Sequence, residues 1–347
     1  MSRIGLGESA SIIDATFPGN TEMARRMREF DWSTTSLGSV EQWPQALRTA
    51  VSISLNCAFP IVLWWGPDLT LLYNDEYRAM LGPAKHPAAL GKPGETVWAE
   101  IWDIVGPMLR QVMSRGEATR SRDLLLHINR GYSEEAYFSF SYSPIFDEGN
   151  VGGIFCPVIE TTERVIGERR LRTLRDLAAS SKGAESEKAT YEAAAKVLAE
   201  NPYDVPFALI YQVDDDGSIG SLRATAGIEP GLAASPRTVA IEAERPISWP
   251  LKTVSQTGKT NVVTEFPDAI GTLPTGAWKV APASVVVLPV LLPGQERPRA
   301  ILVAAASPMR ALEKDYGTFF ALIATQIASG LADAQAREEE HRRVEGG

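Results

Sequence analysis

The residues of this 347-residue chain best suited to chemistry are three histidines and two cysteines, and their spacing restricts them sharply. His86, His127 and His341 lie far apart, with no HExxH and no clustered His/Cys spacing, so no metal site is expected. Cys57 and Cys156 are isolated thiols. They form neither a disulfide framework nor a zinc site, and they suit a reducing cytoplasm. Cys156, in the apolar run VGGIFCPVIE, reads as a packing residue, as does Cys57. GxSxG, GxGxxG and P-loop signatures and any triad candidate are absent, and GPAKHPAALGKPG lacks the spacing of a phosphate loop. Catalysis by this chain alone is not expected.

Charge and hydropathy narrow the partners. Net charge is −9, from 34 Lys and Arg against 43 Asp and Glu, which argues against a nucleic-acid surface. The longest apolar runs, near 59–65 and 283–292, are strand-sized, well short of the roughly 20 residues of a membrane span. Residues 1–20 carry no apolar signal-peptide core and read as a flexible leader.

These residues must be positioned by the elements around them. Helices are expected near 21–31 and 44–55, then a hairpin of 61–65 with 69–73 turning at Gly66-Pro67-Asp68. After helices near 74–81 and 95–116, with Val97, Trp98, Ile101, Ile104 and Val105 on one face, three strands follow. In EEAYFSFSYSPIF, Tyr137, Ser139, Ser141 and Ser143 alternate against Phe138, Phe140 and Tyr142, the period of an antiparallel strand. The last strand, VGGIFCPVIE, feeds into a charged helix with Ile166, Leu171, Leu174, Leu177 and Ala178 within roughly 140° of arc. That stripe fits a short coiled coil or a helix lying on a domain. SSKGAESEK, 180–188, marks a boundary. Beyond it come a helix at 186–200, a hairpin of 209–213 with 222–227, a loop over 230–246, a helix ended by Gly258 with a short strand, two β runs in 283–307 and a final helix from 313. Leu312, Tyr316, Phe319, Phe320, Ile323, Ile327, Gly330, Leu331 and Ala334 of that helix share roughly 100–110° of arc, the strongest periodic signal in the chain. The fold class is α+β: two domains, each a five- to six-stranded antiparallel sheet with flanking helices.

LLYNDEYRAMLG, ALGKPGETVWAEIW and YFSFSYSPIFDEGNVGGIFCPVIETTERV resemble a PAS domain. Glu160, Thr161, Thr162, Glu163 and Arg164 stand where that family has Asp-Ile-Thr-Glu-Arg, departing from it at the first two positions. WPQALRTAV with WGPDLTLLYND resembles the first PAS domain of bacterial hybrid sensor histidine kinases, and 186–336 resembles a GAF domain by element order. The expected divisions are the leader 1–20, a PAS-like sensor domain 21–163 with N-terminal helices, a helical linker 164–185, a GAF-like domain 186–336 and a helix extension 337–347.

The resemblance implies a cytoplasmic sensory module of a two-component phosphorelay. In it, Glu160 to Arg164 pass a change from sheet to helix toward a kinase output domain outside this sequence. A free-standing adaptor that binds a partner protein, or a haem or non-covalent chromophore sensor, is the alternative. A homodimer through the exit helices is expected, because the resembling families are dimeric and the last stripe is apolar. Trp64, Tyr77, Trp98, Trp102, His127, Phe140 and Tyr142 are the candidates to line a PAS pocket for an uncharged small molecule, against the alternative of ordinary aromatic core. The cofactor is unknown. A covalent bilin is disfavoured because residues 1–20 and the GAF-like half hold no Cys, and a flavin–thiol adduct because Asn56-Cys57 continues Ala58-Phe59. His86 and His127 are the histidines a PAS haem could use. Arg223 and Arg237 lack the motif a cyclic nucleotide needs, and the HRRVEGG context of His341 is not that of a phosphoacceptor.

Overall fold

Two antiparallel sheets organise residues 11–182, 184–242 and 249–345, the residues described by this computed structural model. The chain divides between Val165 and Ile166 into two units. Parts of four expected segments lie outside the described residues: 1–10 of the leader, 183 of the linker, 243–246 of the loop and 346–347 of the extension.

The first unit opens with helices α1 (Ile12–Thr16), α2 (Glu22–Glu29) and α3 (Gln45–Leu55). Residues 11–20, expected to belong to the flexible leader, instead hold α1 and contribute Phe17 to the core. The Ser11 side chain caps α1, and Phe17 is fully buried, edge-on to Trp43 at 5.8 Å. Trp32 meets Trp43 at 5.0 Å and donates its indole N–H to the Met27 carbonyl at 2.8 Å. Phe17 finds its partners in a later segment, so its own polar neighbours give no sign of its burial.

Strands β1 (Ile61–Trp65), β2 (Thr70–Tyr73), β3 (Thr119–Asn129), β4 (Ser133–Asp147) and β5 (Asn150–Glu160) form a sheet in the order β2-β1-β5-β4-β3. β2 starts one residue later than the sequence suggests because Leu69 is left-handed, φ 50°, and completes the turn from Gly66. Glu148 and Gly149 both have positive φ in the two-residue turn joining β4 to β5, the backbone a tight hairpin needs. Helices α4 (Arg78–Lys85), α5 (Gly94–Val97) and α6 (Trp102–Arg115) lie between β2 and β3 in sequence. A 3-10 turn at Ala99–Ile101 resets the helical phase before α6. Val97, Trp98, Ile101 and Val105 are therefore buried, but Ile104 is exposed.

Helix α7 (Thr162–Lys182) begins in the first unit and continues into the second. Most of the expected linker is thus part of the second unit, a helix lying on a domain. There follow α8 (Glu187–Ala199), β6 (Ala208–Val213), β7 (Ile219–Ala226), β8 (Thr238–Ala240), α9 (Leu251–Thr257), β9 (Asn261–Val263), β10 (Val285–Val290), β11 (Ala300–Ala305) and α10 (Lys314–Glu345). The sheet order is β8-β7-β6-β11-β10-β9. Three-residue β8, in a segment that reads as loop, is an edge strand too short to carry a period.

Both faces of this sheet are covered. Ile210, Leu288 and Leu302 pack with α8 and α10, while Leu209, Val287 and Ile301 pack with Trp249, Leu251 and Val254. This is why VVVLPV and AILVAA are apolar at nearly every position. The α10 stripe from Tyr316 to Ala334 is buried in the same core. It holds the domain together, so it does not serve as the expected pairing surface for a second chain. Phe17→Ala is expected to destabilise the first unit by about 3–5 kcal/mol. Urea unfolding followed by tryptophan fluorescence reads this, and an unchanged midpoint would return residues 11–20 to a loose leader.

Candidate functional site

Two features of the first unit could take part in sensing: a cavity behind the sheet and the junction where the sheet becomes α7. The cavity has a volume of about 40 Å³. Val62 and Trp64 of β1, Leu126 and Ile128 of β3, Phe138, Phe140 and Tyr142 of β4, and Cys156 and Val158 of β5 form one wall. Tyr77, Met80, Trp98, Ile101 and Val105 form the other. Side chains alternate across a strand, so each strand contributes every second residue.

Five candidates, Trp64, Tyr77, Trp98, Phe140 and Tyr142, therefore meet at this cavity, and two do not. His127 lies between the lining residues Leu126 and Ile128 and so projects to the opposite face, opposite Glu135 in the ladder. Trp102 stands behind Trp64, 6.2 Å between ring centres, and packs against Gly106. A Cβ on Gly94 would come within 2.5 Å of the Trp64 ring, so only glycine fits there. His86 is also outside the cavity; its Nδ1 lies 3.0 Å from the Tyr73 hydroxyl and its Nε2 3.0 Å from Glu22.

No charged side chain lines the cavity. Burial pushes the Tyr77 and Tyr142 phenols and the Cys156 thiol up, so all three stay neutral near pH 7. Cys156 is accordingly a thiol and not a thiolate nucleophile. Lys85 holds its ammonium 4.0 Å from the Trp98 ring centre, outside the lining. The space admits a few atoms of an uncharged molecule, since one water needs about 10–15 Å³ on this measure.

At the junction, Glu160 ends β5 and accepts a bidentate pair from Arg130 at 2.8 and 2.9 Å. Arg130 also donates to Glu134 at 2.7 Å. These carboxylates, with Glu160 the larger influence, hold the Arg130 guanidinium still more firmly protonated. The Thr162 hydroxyl donates to Glu160 at 2.8 Å and accepts the Tyr137 amide at 3.0 Å. The Thr161 amide donates to the Tyr137 carbonyl at 2.7 Å. Its hydroxyl donates at 2.7 Å to Asp123, which also accepts from Arg164 at 2.5 Å. Glu163 occupies the first turn of α7, where the helix dipole favours an acid.

Asp123, Arg130 and Glu134 are functional candidates that the sequence did not reveal. Asp123 has φ 48° at a β-bulge between Ser121 and Leu124, which turns it toward α7. The polar Asp in SRDLLLHIN was its only local signal.

The sequence matches the PAS fold family over residues 58–166 and the GAF domain family over residues 184–332. The chain is thus a PAS fold followed by a GAF domain, two sensory kinds, and it is a sensing or signalling module. No curated protein matches it. Among solved structures, the GAF domain of an Acinetobacter phosphoenolpyruvate-protein phosphotransferase is similar at 17% identity, over 48% of this chain and 94% of that one, with a TM-score of 0.35. The GAF domain of the Coxiella burnetii phosphoenolpyruvate-protein phosphotransferase is similar at 16% identity, over 50% and 98%, with a TM-score of 0.37. The Stigmatella aurantiaca phytochrome photosensory core module is similar at 15% identity, over 84% of this chain and 61% of that one, with a TM-score of 0.35. At these scores the likenesses say nothing about activity. No helix among the described residues is long and apolar enough to cross a membrane.

Hydrogen bonds from Arg164 and Thr161 hold the Asp123 carboxyl below its ordinary value of 3.8. A lowered folded pKa stabilises above the unfolded pKa and is lost as pH falls through the folded value. Asp123→Asn is therefore expected to flatten the loss of stability below about pH 4. Identical acid unfolding curves for the two proteins would show that the junction does not depend on this carboxylate.

Proposed function

We propose that this chain is the sensory and transmission part of a bacterial two-component sensor histidine kinase, acting in the cytoplasm. An uncharged small molecule in the PAS cavity, or a partner protein on the PAS domain, changes the sheet. The change leaves through α7 and then α10 toward an output domain outside this sequence, where phosphoryl chemistry belongs. The observation that carries this reading is the passage from β5 into α7 through the single residue Thr161, with both sides tied back to β3 and β4. A strand joined stiffly to a helix turns a small sheet distortion into helix rotation, whereas a Gly/Pro linker would absorb it.

Pairing of two copies in this role falls to the outer faces of the helices, where Leu171 is 68% exposed and Leu322 is 42% exposed. Inserting two glycines after Arg164 is expected to abolish the response of a fused output domain while each domain stays folded. A normal response from that insertion would contradict the transmission reading.

A further inference from the structure

Asp204 lies between α8 and β6, and its carboxylate is wholly shielded from solvent. Arg169 donates to it from Nε at 2.7 Å and from Nη2 at 3.0 Å. Arg170, the next residue of α7, donates from Nε at 3.1 Å. Asn201 Nδ2 donates to Asp204 at 3.0 Å and to Thr173 of α7 at 3.1 Å. The Asp204 backbone carbonyl accepts the hydroxyl of Tyr316 on α10, and that hydroxyl accepts the Ser307 amide at 2.7 Å. The Arg170 guanidinium stands 4.1 Å from the Tyr316 ring centre.

Helices α7 and α10 meet twice more. A Cβ on Gly330 would come within 2.8 Å of the Ser181 hydroxyl, so the helices touch there through a glycine. Arg337 donates to the Lys182 carbonyl at 3.1 Å and the Ser181 carbonyl at 3.4 Å, satisfying the open end of α7. The contacts advance in the same direction along both helices, which lie parallel.

We infer that Asp204 is a positioning residue that fixes the register of α7 on the GAF domain and ties it to α10. This deepens the proposed function, on which its signalling meaning rests, by naming the place where the incoming helix engages the outgoing one. Sliding α7 by one residue moves it about 1.5 Å and turns it by about 100°. One arginine then takes the other's place and its own is vacated, so a carboxylate that water cannot reach loses one of its two cationic partners, and an under-compensated buried charge is unfavourable. Burial pushes the carboxyl up, but Arg169 and Arg170 outweigh it and keep its pKa below the usual range. A well-packed apolar group in place of the ion cluster would stabilise comparably. The ionic arrangement therefore contributes register above all.

Hydrogen exchange on the full chain tests this with Asp204→Asn and the milder Tyr316→Phe, which keeps the ring under Arg170. Asp204→Asn is expected to speed exchange about tenfold or more over residues 166–174 and the first turns of α10, with β6, β10 and β11 unaffected. Tyr316→Phe is expected to speed exchange in α7 although the substitution lies on α10. No change in α7 with either variant, or equal loss of protection across the whole GAF sheet, would overturn the assignment. Loosening of α7 with an unaltered response of a fused output domain would uphold the tie and remove the signalling reading instead.

Discussion

The bidentate pair between Arg130 and Glu160 is the constraint on which the rest depends. Glu160 is the last residue of the central strand β5, and Arg130 lies just beyond the end of β3. A fully exposed ion pair contributes about 0–1 kcal/mol, but this guanidinium side chain is only 18% exposed and makes geometrically matched bonds. Without it the end of β5 would lose its tie to the residue that follows β3. The Thr161 and Thr162 hydroxyls and the Asp123–Arg164 pair continue the same fastening on the helix side. Helix α7 therefore starts from fixed points in three strands, and this gives the passage from sheet to helix its stiffness.

The two sheets use their faces differently. In the PAS fold, one face leaves a small neutral cavity among aromatic rings, where an added group would have to displace packed side chains. In the GAF domain, both faces are filled by mainly aliphatic side chains, and α8 and α10 cover one of them. A small cavity among neutral rings suits perception, and a core filled on both sides suits rigid relay. The division of labour proposed for the two domains follows from this contrast in packing.

Much of the fold was legible because it is written in local periods. The alternation in β4, the turn glycines and the α10 stripe each state their element within a few residues. What the α10 stripe packs against was not legible: the same pattern fits a domain core and a coiled-coil seam, and only the tertiary fold decides. His127 and Trp102 were misplaced for a related reason. LLLHINR has no clean alternation, so the face of His127 depends on ladder register, and Trp102 follows a 3-10 turn that shifts the helical phase. Asp123 and Asp204 were invisible because each pairs with residues 34 to 41 positions away. Of the named aromatics, Trp64, Phe140 and Tyr142 face the cavity from strand positions, and Tyr77 and Trp98 from the stretch between β2 and β3.

The central claim is that strand and helix form one fastened piece, and amide exchange at the junction tests it most directly. The account predicts that the amides of Thr161 and Val165, which donate to the Tyr137 and Thr161 carbonyls, exchange as slowly as those in the middle of β5. Exchange at the rate of an unstructured chain across those residues, with β5 still protected, would contradict it.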